Sequence, residues 1–166
     1  YFERITDEEK FAAGDALQLV AGNTDAADSY TAGEGVVEDC WIRYAAQGIR
    51  FKNPGPATGY GGVGPTGVTV RRITFVNITN QDILDEDTAG SNDNAFFEAE
   101  IADCRHLDRN KAVYVTLTNG GANTGLIHGG RFAVDTGRLT STHVAHATGI
   151  VASELHDATG LVDTSG

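Results

Sequence analysis

The residues with the clearest capacity for acid–base chemistry are Glu38-Asp39, Arg71-Arg72 and Asp103. Glycosidic cleavage needs two carboxyl groups flanking a sugar bond at roughly 5–10 Å. If these three short stretches sit on successive turns of a repeat, Asp39, Arg71 and Arg72, and Asp103 present acid, base and acid in order. Plain ion pairing between neighbouring strands uses the same residues. The sequence leaves both readings open.

A second chemistry is suggested by Asp85-Glu86-Asp87-Thr88-Ala89-Gly90-Ser91-Asn92-Asp93-Asn94. Hard cations take several oxygens at once, and Asp85, Asp87 and Asp93 are the calcium candidates of this stretch. Its spacing is not that of an EF-hand, and a solvated acidic loop explains it equally. No cofactor is required; calcium is the one cation the sequence invites. His143 and His146 are ligand-like only if they lie on a helix, and a surface or corner role is expected for all five histidines. A third group comprises Asp25, Asp28, Tyr30, Tyr60 and Asn92 on Gly-rich connections. Exposed tyrosines there can stack on sugars or anchor a protein interface. Asn77-Ile78-Thr79 also matches a short glycosylation sequon.

The elements that must position these residues form a repeat. One strand type is anchored at Leu17, Ile49, Ile83, Val113, Leu139 and Leu161, and a second at Val37, Val70, Ile101, Ile127 and Ile150. From each second-type anchor to the next first-type anchor the steps are 12, 13, 12, 12 and 11 residues. The return steps are 20, 21, 18, 14 and 11. Stacked coils explain both series: a tight corner must repeat to keep strands in register, whereas the other connection is free to bulge into solvent. The variable connections 20–34, 52–67, 85–97 and 117–124 should therefore share one surface, the expected binding face.

In Val70-Arg71-Arg72-Ile73-Thr74-Phe75 the alternation places Val70, Ile73 and Phe75 inward and Arg71, Arg72 and Thr74 outward, with a bend between two short strands. Cys40 and Cys104 then fall on equivalent inward positions two coils apart, with Ile73 between them. Two rungs span about 9.6 Å, too far for a disulfide, so two free, buried thiols are expected. Thr6 and Glu9 fit a capping box, giving a short capping helix over 6–13.

The predicted fold is therefore all-β: a right-handed parallel β-helix, or solenoid, of about five to six coils. Residues 1–13 form an N-terminal cap segment and 14–166 a single domain. The chain lacks Met, begins at Tyr1 and shows no cover over Gly160-Leu161-Val162, which suggests part of a longer chain or an oligomer. A net charge of −11, from 23 acids and 12 bases, argues against nucleic acid or anionic membrane as partners.

This coil pattern, above all Gly-Val-Thr-Val-Arg-Arg-Ile-Thr-Phe-Val-Asn-Ile-Thr-Asn at 67–80, resembles the pectate-lyase-like parallel β-helix superfamily. It is similar also to the β-helical parts of phage tailspikes. The resemblance covers about residues 14–166 and is specific to a fold rather than to one family. It implies either polysaccharide lyase or hydrolase chemistry or a non-catalytic virion role, and no family catalytic motif maps onto these positions. The leading expectation is a structural protein of a virion or cell surface, of decoration, spike or tail-fibre type, acting through rigid assembly and loop contacts. Its partners would be other copies, as in a trimer, other surface proteins or a glycan. The alternatives are a fragment of a polysaccharide lyase or glycoside hydrolase, and a non-catalytic glycan-binding module.

Overall fold

A computed structural model describes residues 2–3, 15–20, 35–53, 67–87, 98–109, 111–118, 124–134, 138–157 and 159–162. Every regular element among them is a strand. After β1 (Phe2–Glu3) the chain runs through five triplets. The first is β2 (Asp15–Val20), β3 (Val36–Glu38) and β4 (Trp41–Ala45). The next is β5 (Gln47–Asn53), β6 (Thr69–Arg71) and β7 (Thr74–Ile78), followed by β8 (Ile83–Asp87), β9 (Ala99–Ala102) and β10 (Arg105–His106). Then come β11 (Val115–Leu117), β12 (Gly125–His128) and β13 (Arg131–Phe132), and β14 (Val144–His146), β15 (Ile150–Ser153) and β16 (Leu155–Asp157). A last strand, β17, spans Gly160–Val162.

Each triplet contributes one strand to each of three sheets. Sheet 1 has the order β1-β4-β7-β10-β13-β16-β17, sheet 2 the order β2-β5-β8-β11-β14, and sheet 3 the order β3-β6-β9-β12-β15. The β4–β7, β5–β8 and β6–β9 pairs are parallel, as are their counterparts along the stack. The chain thus visits sheets 2, 3 and 1 in turn and returns one rung further on, which describes a parallel β-solenoid.

Inward columns hold it together. Leu17, Ile49, Ile83, Val115 and Val144 are in register along sheet 2. Val37, Val70, Ile101, Ile127 and Ala152 are in register along sheet 3. Sheet 1 supplies Ile42, Phe75, His106 and Phe132. One hydrophobic cluster extends from Ala16 to Leu155. Each fully buried Ile, Leu or Phe contributes about 1.5–3 kcal/mol relative to exposure, and this term drives the coils together.

Several expectations change. The sheet 2 column passes through Val115 and Val144, not Val113 and Leu139. Leu139 is buried but precedes the strand, its N–H donating to Asp157 Oδ2 at 3.0 Å. Leu161 lies in sheet 1, where β17 pairs antiparallel with β16. On sheet 3, Ile150 faces Gly125, and Ala152 faces Ile127. Asp85-Glu86-Asp87 does not begin a loop: β8 carries these residues in register with Phe51-Lys52-Asn53. The proposed helix over 6–13 lies outside the described residues, while Phe2–Glu3 pairs with Ile42 and Arg43 on the edge of sheet 1.

The variable connections all run from sheet 2 to sheet 3, at 21–35, 54–68, 88–98, 118–124 and 147–149. The constant corner joins sheet 3 to sheet 1. Its first residue is Asp39, Arg72, Asp103, Gly129 or Glu154, each with positive φ (55°, 54°, 53°, 65° and 52°). A left-handed residue turns the chain sharply without spending length. The residue after it points inward, giving the column Cys40, Ile73, Cys104, Gly130 and Leu155. Cys40 and Cys104 are both free, as the register required, but Cys40 is only half-buried at the edge of the core. Cys104 is buried, and burial is the main cause pushing its thiol up to about 12.

Candidate functional site: a groove along sheet 1

The left-handed corner aims one residue per coil away from the core. Two residues later, the first outward position of sheet 1 does the same. This gives two parallel rows on the outside of the stack. The corner row is Asp39, Arg72, Asp103, Gly129 and Glu154; the sheet row is Trp41, Thr74, Arg105, Arg131 and His156. Together they line a groove of about 610 Å³ along the stacking axis. With rungs about 4.8 Å apart, its five rungs extend about 19 Å.

The two ends differ in electrostatics. At the first, Arg72 donates to both oxygens of Asp39, through Nε at 2.7 Å and Nη2 at 2.8 Å. Nη2 also reaches Glu38 Oε2 at 2.7 Å, and Arg71 Nε reaches the same oxygen at 2.6 Å. The hydrogen bond from Arg71 is the largest cause holding Glu38 below the usual carboxylate range, and that from Arg72 does the same for Asp39. These carboxylates are satisfied acceptors, so the anticipated ladder of Glu38, Asp39, Arg71 and Arg72 is an ion-pair network. The Trp41 ring, 47% exposed, stands beside it on the sheet row.

Further along the groove the charges are unpaired. Asp103, Arg105, Arg131 and Glu154 make no ion pair among the described residues. Arg105 and Arg131 are exposed and directly in register. His156 faces Arg131 on the next rung and is half-buried. This half of the groove holds two guanidiniums on the sheet side and two carboxylates on the corner side, none of them ion-paired among the described residues.

Asp39, Arg72 and Asp103 are thus brought together in one row, while Arg71 lies beside them on sheet 3. Asp85 is in the interior, in register with Phe51 and fully buried, which removes it from any surface loop. Asp25, Asp28, Tyr30, Tyr60, Asn92 and Asp93 fall outside the described residues, as does the side chain of Asp87. No group of three metal-ligating side chains occurs among the described residues. His143 Nδ1 contacts Thr140 Oγ1 at 2.8 Å and accepts from the Thr140 N–H, while His146 Nδ1 lies 3.1 Å from the Ala147 carbonyl. Neither is turned to a shared ion. His128, on the outer face of sheet 3, contacts Glu100 at 2.8 Å.

Sequence reasoning passed over Trp41, Arg105, Arg131, Glu154 and His156. The signal was present: four of them are the first outward position after the repeated corner, and Glu154 is the last corner itself.

A second polar cluster lies inside the solenoid. His106 is stacked between Phe75 and Phe132, with ring centroids 5.1 and 4.2 Å away. Its Nδ1 is 2.8 Å from Asp82 Oδ2, and Lys111 Nζ donates to Asp82 Oδ1. The Tyr114 hydroxyl donates to the carbonyls of Asp108 (2.7 Å) and Ala133 (3.1 Å). His106 and Asp82 are 1% and 0% exposed, which suits a buried staple joining sheets 1 and 2 rather than a substrate site.

No protein-family model, curated protein or solved structure matches this chain.

Proposed function

We propose that this chain is a right-handed parallel β-helix module of an extracellular or virion surface that holds a linear glycan along the sheet 1 groove. The observation that carries this reading is the groove's form. It is elongated along the stack, each of its five rungs carries at least one polar or charged side chain, and an exposed tryptophan stands at one end. An extended chain of sugar rings laid along the axis meets the Trp41 ring at one end and the side chains of Asp103, Arg105, Arg131, Glu154 and His156 on the later rungs. An aromatic face beside them suits stacking on a pyranose ring. The solenoid keeps the rows in place because each groove residue sits on a strand or corner locked to its neighbours, so little order is lost on binding.

The test is calorimetric titration of soluble oligosaccharides of graded length. Affinity should rise with length until the groove is filled, and Trp41→Ala should weaken it by about tenfold. Affinity that is independent of length and of Trp41 would remove this reading.

One observation favours a catalytic variant. Asp103 and Glu154 lie on the same corner row with Gly129 between them. Two rungs separate them by about 9.6 Å, close to the spacing that leaves room for a water in inverting glycoside hydrolysis. Release of reducing ends from a bound glycan, lost in Asp103→Asn and in Glu154→Gln, would establish it.

A further inference from the structure

Arg105 and Arg131 occupy adjacent rungs of the same outward row. Parallel pairing sends both side chains off one face from backbones about 4.8 Å apart. Like charges placed directly opposite each other destabilise a sheet. At the other end of the groove Arg72, with Arg71 beside it on sheet 3, is neutralised by Glu38 and Asp39. Arg105 and Arg131 have no such partner among the described residues, in a chain with nearly twice as many acids as bases. The fold itself does not need this repulsion; a bound anion does.

Resting on the groove reading above, we infer that Arg105 and Arg131 clamp one tetrahedral oxyanion, a sulfate or phosphate monoester carried by the groove's ligand. A carboxylate offers about four acceptor sites, all in the plane of its two oxygens. Two forks reaching in from adjacent rungs are better met by the three terminal oxygens of a sulfate or phosphate monoester, which do not lie in one plane. Thr74 precedes the pair in the row and His156 follows it, extending the line of polar groups on both sides. Across the groove, Asp103 and Glu154 repel an anion from the corner row and accept from hydroxyls instead. The ligand is thereby oriented with its anionic group toward the sheet and its hydroxyls toward the corner.

The test is calorimetry at low ionic strength on the intact chain. The probes are a sulfated oligosaccharide, its desulfated counterpart, an oligogalacturonate, and sodium sulfate and sodium phosphate alone. Wild type should prefer the sulfated oligosaccharide over both the desulfated and the carboxylated chain by about tenfold or more. Arg105→Ala and Arg131→Ala should each abolish that preference. The double variant should be little worse than either single one, because one anion uses both forks. Both variants should keep or slightly raise the urea midpoint, since repulsion is relieved, and this separates loss of the clamp from loss of the fold. Equal affinity for sulfated and desulfated chains, or a preference that survives both substitutions, overturns the clamp and leaves the groove reading standing. Binding of the free anions without any oligosaccharide keeps the clamp and removes the groove reading. Binding of none of the probes removes both.

Discussion

Gly129 leaves room for Asp103: a methyl group built on Gly129 would lie 2.1 Å from Asp103 Oδ1. The glycine also sits at φ +65°, where a side chain is strained in any case. Gly129→Ala should therefore destabilise the chain by about 1–2 kcal/mol, chiefly through the backbone, with a smaller part from pushing the exposed Asp103 carboxylate aside. Adding Asp103→Gly to it should recover the steric part and leave the backbone part. Urea unfolding of the two single variants and the double variant checks this. A double variant no more stable than Gly129→Ala would show that the carboxylate is not the obstacle.

Glu154 and Arg72 occupy the same left-handed corner without being glycine or asparagine. Arg72 has its ion pairs to offset that strain, whereas Glu154 has none among the described residues. Glu154→Asn should raise stability by about 0.5–1 kcal/mol, while Arg72→Asn should not, since it also frees Glu38 and Asp39. The paired urea midpoints separate local strain from charge pairing.

Asp82 is the shared partner of His106 and Lys111 inside the stack. Removing it as Asp82→Ala leaves the buried Lys111 ammonium with only the longer contact to Asp108 Oδ2, at 3.7 Å, and should cost up to about 3–5 kcal/mol. Asp82→Ala with Lys111→Met should regain a substantial part. Thermal unfolding of both variants decides whether the cluster is a staple or a dispensable pair.

Acid should loosen the fold in a defined window. Burial tends to raise Asp157, but hydrogen bonds from the Thr159 side chain and from the Leu139 and Thr159 backbone hold it below its ordinary range. Glu38 and Asp39 are lowered by Arg71 and Arg72. A carboxylate depressed by folding stabilises above its unfolded value, about 4, and that contribution is lost as the pH falls through the lower folded value. The urea midpoint should fall as the pH drops below about 4, with a shallower fall in Asp157→Asn.

Cys104 should resist thiol reagents in the folded state. It is 1% exposed and its thiol is raised by burial, so the thiolate that reacts is scarce at neutral pH. Labelling followed by mass spectrometry should find it modified only once the chain unfolds.

Much of this architecture was legible because the repeat writes each coil beside the last. The inward set Cys40, Ile73 and Cys104 follows from alternation alone, and so does the neighbourhood of Glu38-Asp39 and Arg71-Arg72. Alternation cannot choose between Val113 and Val115, which share a face; only hydrogen bonding makes Val115 the partner of Ile83. Asp85 read as loop because a carboxylate seldom enters a core, yet β8 buries it opposite Phe51. The groove was half visible. Asp39 and Asp103 stood out as charges, but Glu154 and Arg72 gave no sign of positive φ, since neither is a residue that prefers it. Without the corner, the row two residues beyond it could not be drawn.

The reversal at β17 affects how such a stack can grow. Strands β2 to β16 all run the same way within their sheets, so a bare rim would invite another copy to add rung upon rung. On sheet 1 that rim is occupied by a strand running backwards against β16. Any strand added beyond β17 would extend a mixed sheet there, while sheets 2 and 3 stay purely parallel, so among the described residues the common direction of the three sheets ends at β16.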